Sequence, residues 1–286
     1  MGDLVVGVLG CGSMGSGIVQ VVAEAGYPVI VREVSSAAVD DGLARIDRFM
    51  AEGVRRGKVT EGQRMATQKR IRGTTEWGDL ASCGVVIEAV FEDIQVKHAA
   101  IRSLSSVLVP GALVATNTSS LSVTEIAAAY ACPERVVGMH FFNPAPLMKL
   151  VEVVRAVQTD EAALAEAREF VRSLGKEPVQ TKDSPGFLVN YLFIPYVNQA
   201  IQAFDDGLAS RDELDNALEL GLGYPMGPLK LVDLIGLDVH LHASAALYRE
   251  TGERRFAPPP LLRRLVKAGR SGRKAKHGFY MYTGQS

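Results

Sequence analysis

Two textures of apolar and polar positions follow one another along this chain. In the first, short valine-rich runs alternate with stretches in which apolar residues recur every three or four positions. "LVVGVL" (4–9), "PVIVREV" (28–34), "GVVIEAV" (84–90), "ALVATNT" (112–118) and "RVVGMHF" (135–141) read as buried strands. Between them, "GCGSMGSGIVQVVAEAG" takes helical spacing and stops at Gly26, and "SSAAVDDGLARIDRFMAEGVRRGK" reads as a long amphipathic helix capped by Ser35 or Ser36. Segments 92–108 and 122–130 read as further helices. Such alternation predicts a parallel sheet wrapped by helices. "KLVEVVRA", the helical "DEAALAEAREFVRSLG" and "EPVQTKD" complete this part.

From Ser184 onward only helical periods remain, over 186–207, 211–220, 228–251 and 260–268, separated by Gly and Pro turns. The expectation is an α/β domain over 1–184 and an all-α domain over 185–286. Pro185 falls in the tolerated first turn of the first helix of that second domain, and Pro195 should kink it.

Composition narrows the class. Hydrophobic content of 47% with 22% charged residues suits a globular core, and a net charge of -1 gives no global attraction to nucleic acid or anionic membrane. The basic stretch "RRLVKAGRSGRKAKH" is a local exception. Cys11, Cys83 and Cys132 form no CxxC pair, so neither a disulfide framework nor a zinc site is indicated, and a reducing cytoplasm fits. The N-terminus lacks a basic region before its apolar run and does not read as a signal peptide; no apolar run is long enough to span a bilayer.

Gly10, Gly12 and Gly15 lie between the first strand and the first helix, with Ser13 and Met14 among them. A GxGxxG in that position allows a tight turn, close approach of a pyrophosphate and close helix–sheet packing. Glu33 ends the second strand eighteen residues after Gly15, where a carboxylate would bond the adenosine ribose hydroxyls and repel a 2′-phosphate. NAD is the expected cofactor; Arg32, next to Glu33, leaves NADP open. "CGSMG" has Cys11 where a serine-hydrolase elbow needs glycine, so that reading falls.

Among His98, His140, His240, His242 and His277, no pair has metal-ligand spacing, since His240 and His242 are two apart on a helix. His140 ends a predicted strand, and open parallel sheets bind ligands beyond the carboxyl ends of their strands. Glu152 sits among "KLV" and "VV", where an ionised carboxylate is costly unless paired. A turn at "NPAP" could bring the two together. The carboxylate would fix the imidazole tautomer and support the other ring nitrogen in taking a proton. A packing histidine, or a structural His–Glu pair without chemistry, is the alternative. "ATNTSS" places Asn117, Thr118, Ser119 and Ser120 at a neighbouring strand end, and Asn190 opens the second domain.

"GVLGCGSMGSGIVQ", "VIEAVFED", "NTSSLSVTEIA", "GMHFFNPAPLMKLVEVV", "DSPGFLVNYLFIPYVNQA", "GYPMGPLKLVDLIGLD" and "GRSGRKAKHGFY" together resemble the L-3-hydroxyacyl-CoA dehydrogenase family, in order over essentially the whole chain. Within it, they are most similar to the short-chain bacterial branch acting on 3-hydroxybutyryl-CoA. The resemblance implies a Rossmann-type N-terminal domain, a helical C-terminal domain that forms a homodimer, and an acyl-CoA substrate between the domains. It implies that His140 is the catalytic base and Glu152 its partner, with Ser119 and Asn190 orienting the substrate. Around the cofactor it implies Glu33, Glu92, Lys97, Asn117, Ser119 and Asn143. Two departures stand out. Glu52 occupies the place of a lysine common in the coenzyme A-contacting helix, which shifts phosphate binding to Arg55, Arg56 or Lys58. Lys276 replaces a usual glycine. Rival readings are a dehydrogenase of a related 3-hydroxy acid or sugar acid, and a catalytically silent dinucleotide-binding structural or sensor protein.

Overall fold

Strands β1 (Val5–Leu9), β4 (Cys83–Glu88), β5 (Leu113–Thr116) and β6 (Val136–Phe141) are buried along nearly their whole length, as strands covered by helices on both faces must be. They form the centre of an eight-stranded sheet ordered β3-β2-β1-β4-β5-β6-β7-β8, completed by β2 (Val29–Arg32), β3 (Ile71–Thr74), β7 (Leu150–Arg155) and β8 (Glu177–Lys182). The computed structural model describes residues 4–282. Helices α1 (Ser13–Glu24), α2 (Ser36–Arg55), α3 (Glu61–Gln68), α4 (Ile94–Ser105), α5 (Val123–Ala127) and α6 (Glu161–Ser173) connect the strands. Ser35 caps α2 by accepting from the Ala38 amide.

The strand order reverses direction between β1 and its two neighbours β2 and β4, both parallel to it. That reversal opens a crevice at the carboxyl ends of the strands, the usual place for a dinucleotide in such sheets.

The all-parallel expectation fails at one point. β6 and β7 pair antiparallel, so β7 and β8 run against the rest. The connecting segment 142–149 carries no crossover helix, and without one the chain can only double back. α3 and β3 are polar and half-exposed, with little apolar pattern to predict them.

A second compact unit begins at Pro185. It contains α7 (Val189–Asp205), α8 (Arg211–Leu222), α9 (Pro228–Ile235), α10 (Leu237–Thr251) and α11 (Pro260–Lys267) around a core that includes Val197, Ile201, Leu229, Val232 and Leu262. The single helix expected over 228–251 is two, broken at Gly236, whose φ of 111° no helix accommodates. Pro185 precedes α7 rather than lying in its first turn, because the chain turns through Gly186 (φ 79°) and Phe187 (φ 50°) before the helix begins. α7 runs on through Pro195. No helix among the described residues is long and apolar enough to cross a membrane.

Candidate active site

The three glycines of the first turn meet three different demands. Gly10 has φ 88°, and a Cβ there would lie 2.6 Å from the Ala89 carbonyl oxygen. At Gly15 a Cβ would meet the Gly10 carbonyl oxygen at 2.0 Å, so glycine is what lets α1 start so close to the turn. A Cβ on Gly12 would meet nothing within 4 Å: this position is open to a ligand. α1 begins at Ser13 without a side-chain cap, so its first-turn N–H groups face an incoming anion. Gly12 and Ser13 are exposed, whereas Met14 packs against the core.

Glu33, just beyond β2, accepts from the Cys11 amide at 2.6 Å (Oε1) and from the Val34 amide at 3.0 Å (Oε2). Arg45 donates to the Cys11 carbonyl at 2.8 Å. The two peptide groups that flank Cys11 in the middle of the glycine turn are thus each held by a side chain. Burial pushes the Cys11 thiol up to about 11, with the Glu33 charge adding to it, so it stays protonated and unreactive at neutral pH. An open Gly12, an uncapped helix start and a carboxylate at the end of β2 suit the pyrophosphate and ribose of a dinucleotide.

His140 and Glu152 are directly opposite each other in the β6–β7 ladder. His140 Nδ1 lies 2.7 Å from Glu152 Oε2, with Glu152 fully buried and His140 7% exposed. Twelve residues of chain separate them; the antiparallel register alone makes them neighbours. Since a carboxylate only accepts, Nδ1 carries the shared hydrogen and donates. The Phe142 ring packs on the imidazole at 4.5 Å between centroids. Lys176 fastens the connecting segment by donating to the carbonyls of Ala145 and Met148, both at 2.8 Å.

A second buried pair supports the neighbouring strand ends. Lys97 and Glu88 are both fully buried, with Nζ donating to Oε1 at 2.8 Å. Glu88 also accepts from the Val90 amide and the Thr116 hydroxyl, and Lys97 reaches Glu92 at 3.3 Å. Glu92 in turn accepts from the Thr118 hydroxyl, the Ser119 amide and the Ser120 hydroxyl. Asn117 Oδ1 accepts from the Phe141 amide at 3.0 Å, which ties β5 to the end of β6 beside His140. Ser119 itself is exposed.

Comparison with known proteins decides the family. A family model described as the 3-hydroxyacyl-CoA dehydrogenase NAD binding domain matches residues 5–184, and the C-terminal domain model of the same family matches residues 186–282. The chain belongs to the 3-hydroxyacyl-CoA dehydrogenase family. A 3-hydroxybutyryl-CoA dehydrogenase from Mycobacterium tuberculosis is 44% identical over 97% of this chain and 98% of its own. One from Clostridioides difficile is 42% identical over 96% and 98%. The crystal structure of (S)-3-hydroxybutyryl-CoA dehydrogenase from Ralstonia eutropha superposes with a TM-score of 0.92 at 38% identity, covering 98% of this chain and 99% of that one. This is therefore an NAD-dependent enzyme that oxidises 3-hydroxyacyl-CoA.

The dehydrogenase's other expected site residues are distributed as follows. Asn143 is exposed in the segment after His140, and a cleft of about 240 Å³ runs from it along Ser13, Ser16, Arg45 and Phe49. Arg55 and Arg56 lie at the end of α2, and both form ion pairs with Glu52. Lys58 is exposed just beyond. Asn190 is the second residue of α7, in the helical unit. Lys97, assigned to the cofactor by resemblance, is enclosed by Glu88 and Glu92 and has no exposed surface. Glu88, Arg45 and Lys176 were not singled out from sequence. Glu88 could have been: it is a carboxylate inside an apolar strand, the same anomaly that marked Glu152. Arg45 and Lys176 act through distant carbonyls and leave no local signal.

Proposed function

We propose that this enzyme oxidises (S)-3-hydroxybutyryl-CoA to its 3-oxo thioester and catalyses the reverse reduction of acetoacetyl-CoA, with His140 moving the proton. The observation that carries the reading is the buried 2.7 Å contact between His140 Nδ1 and Glu152 at a strand end. With Nδ1 held by the carboxylate, the neutral imidazole uses Nε2 to take the proton of the 3-hydroxyl. The imidazolium that forms is stabilised by the Glu152 charge, and in reduction it returns the proton to the developing alkoxide. Bound NAD supplies the acceptor for the C3 hydride. Gly10, Gly12, Ser13 and Gly15 are assigned to its pyrophosphate and Glu33 to its adenosine ribose, with Glu92, Asn117 and Asn143 shaping the site beyond. Ser119 is assigned to orienting the reacting oxygen, and Asn190 takes the same role from the family resemblance.

The four-carbon acyl group is supported by the names of the relatives. Arg55, Arg56 and Lys58 are proposed for the coenzyme A phosphates, and Glu52 must release its two arginines for that role. The exposed Leu208, Leu220 and Leu222 support a homodimer through the helical unit. His140→Gln should lower kcat by about a hundredfold to ten-thousandfold with NADH affinity nearly unchanged; an unchanged kcat rejects the assignment. Comparing turnover on 3-hydroxybutyryl-CoA with turnover on the free acid separates the thioester reading from a sugar-acid or hydroxy-acid dehydrogenase.

A further inference from the structure

Arg32 is the last residue of β2, one position before the carboxylate assigned to the ribose. A guanidinium free to reach a ribose 2′-phosphate would pair with it bidentately and offset the repulsion from Glu33. This guanidinium is committed elsewhere. Its central carbon stands 4.1 Å from the centroid of the Trp77 ring, and Nε donates to the Thr75 carbonyl at 3.2 Å. Trp77 opens a short 3₁₀ turn (Trp77–Leu80) that is itself anchored. Asp79 accepts from the Thr74 hydroxyl and pairs with Arg72 at 3.2 Å, the Glu76 amide donates to the Thr74 hydroxyl at 3.0 Å, and Leu80 is fully buried. Glu33, for its part, is fixed by the Cys11 and Val34 amides.

We propose that Trp77 and the Thr75 carbonyl form a clamp that withholds Arg32 from the adenosine ribose, and that this clamp, together with Glu33, sets the enzyme's selectivity for NAD over NADP. Glu33 supplies the repulsion of a 2′-phosphate. The clamp keeps the neighbouring cation from cancelling it. Because the ring acts on Arg32 and not on the nicotinamide or the pyrophosphate, its removal changes the ratio of the two affinities, whatever it does to their common level. The inference rests on the placement of Glu33 at the ribose.

The test is a set of calorimetric dissociation constants for NADH and NADPH, read as their ratio and independent of turnover. Trp77→Leu keeps an apolar side chain but removes the aromatic face, and should improve NADPH relative to NADH by about tenfold. Arg32→Ala alone should leave the ratio within about twofold, and adding it to Trp77→Leu should abolish the gain. Trp77→Phe, which restores an aromatic face, should return the ratio toward that of the parent. Trp77 is the only tryptophan in the chain, so Arg32→Ala should also shift the protein's tryptophan emission. An unchanged ratio in Trp77→Leu, a gain that survives Arg32→Ala, or a loss of NADPH affinity in Arg32→Ala alone overturns the clamp. Glu33→Ser separates the two levels. If it leaves the ratio unchanged, the ribose placement fails and the clamp with it; if it shifts the ratio while Trp77→Leu does not, only the clamp fails.

Discussion

In the sheet unit, buried charges meet charged or ionisable side chains, Lys97 with Glu88 and His140 with Glu152; in the helical unit, buried carboxylates meet backbone and hydroxyl donors. Asp215 accepts from the Leu229 and Lys230 amides and the Tyr280 hydroxyl, which caps α9 from α8. Asp233 accepts from the Phe279 and Tyr280 amides and the Tyr282 hydroxyl, which holds the last described segment against α9. A carboxylate satisfied by amides staples chain to chain and has nothing to exchange. One facing an imidazole can support proton transfer. Burial alone therefore does not mark chemistry; the partner does. Lys97–Glu88 lies between the cases, since the pair is buried yet also reaches Glu92, which bonds the neighbouring loop that carries Ser119.

The comparison breaks most visibly at Lys97. Lys97→Met leaves Glu88 buried without its cation and should cost about 3–5 kcal/mol of stability, measured by urea denaturation. Adding Glu88→Gln should recover much of that, because the orphaned charge is gone. If Lys97 served only as a direct cofactor contact, Lys97→Met would weaken NADH binding and leave the denaturation midpoint where it was.

Asp233→Ala comes next. It removes three hydrogen bonds and strands a buried and a half-buried amide, for a loss of about 3 kcal/mol. The site is tightly built: a Cβ on Gly278 would lie 1.9 Å from Asp233 Oδ1, and one on Gly272 would lie 2.2 Å from the Asp233 carbonyl oxygen. Those two glycines account for the spacing of "GRSGRKAKHGFY". Proteolysis within 272–282 should accelerate in Asp233→Ala while the isolated change leaves His140 untouched.

His240 sharpens the contrast with His140. It is 1% exposed, its Nε2 lies 3.0 Å from Asn198 Oδ1, and no carboxylate is bonded to its ring; burial pushes it down to about 4. The unfolded chain takes up this proton near pH 6.5 and the folded chain only near 4. Its contribution to stability is therefore complete above pH 6.5, falls as pH drops through that window, and levels off below 4. At pH 4.5 the loss should be about 2–3 kcal/mol. The difference in unfolding free energy between pH 7 and pH 4.5, measured by urea denaturation, should shrink by that amount in His240→Gln; an equal difference in both proteins would show that His240 does not titrate in this way.

Glycine spacing, the strand-end histidine and the misplaced carboxylate were legible because each breaks a local rule at a fixed place in the pattern. The direction of β7 was not, since a strand buried on both faces carries the same apolar run whichever way it points. β3 was passed over because Ile71–Thr74 has little apolar pattern at all, although the Thr60–Gln63 capping box announces the helix before it. The contacts that hold the site together were the least legible. Lys176 reaches carbonyls about thirty residues away, and Arg45 reaches Cys11 across 34 residues, so nothing in either neighbourhood announces them. Arg32 was visible as a complication for cofactor choice. Trp77, which occupies it, was not, because the link runs between the ends of adjacent strands.

The smallest expected effect tests a non-glycine residue held at positive φ. Lys276 has φ 57°, in the left-handed region, at the end of the turn Arg273–Ala275. Its amide donates to the Arg273 carbonyl and its carbonyl accepts from the Tyr282 amide, so the conformation is imposed by the same segment that Asp233 anchors. A side chain in this region costs about 1–2 kcal/mol per residue, and glycine returns part of that gain through the greater freedom of the unfolded chain. Lys276→Gly should therefore raise stability by only about 0.5 kcal/mol, or roughly 1–2 °C in Tm. Lys276→Val, β-branched at the same φ, should lose more than the glycine gains. A stability order with valine above glycine would mean that the staple at Asp233 does not hold this turn left-handed in solution.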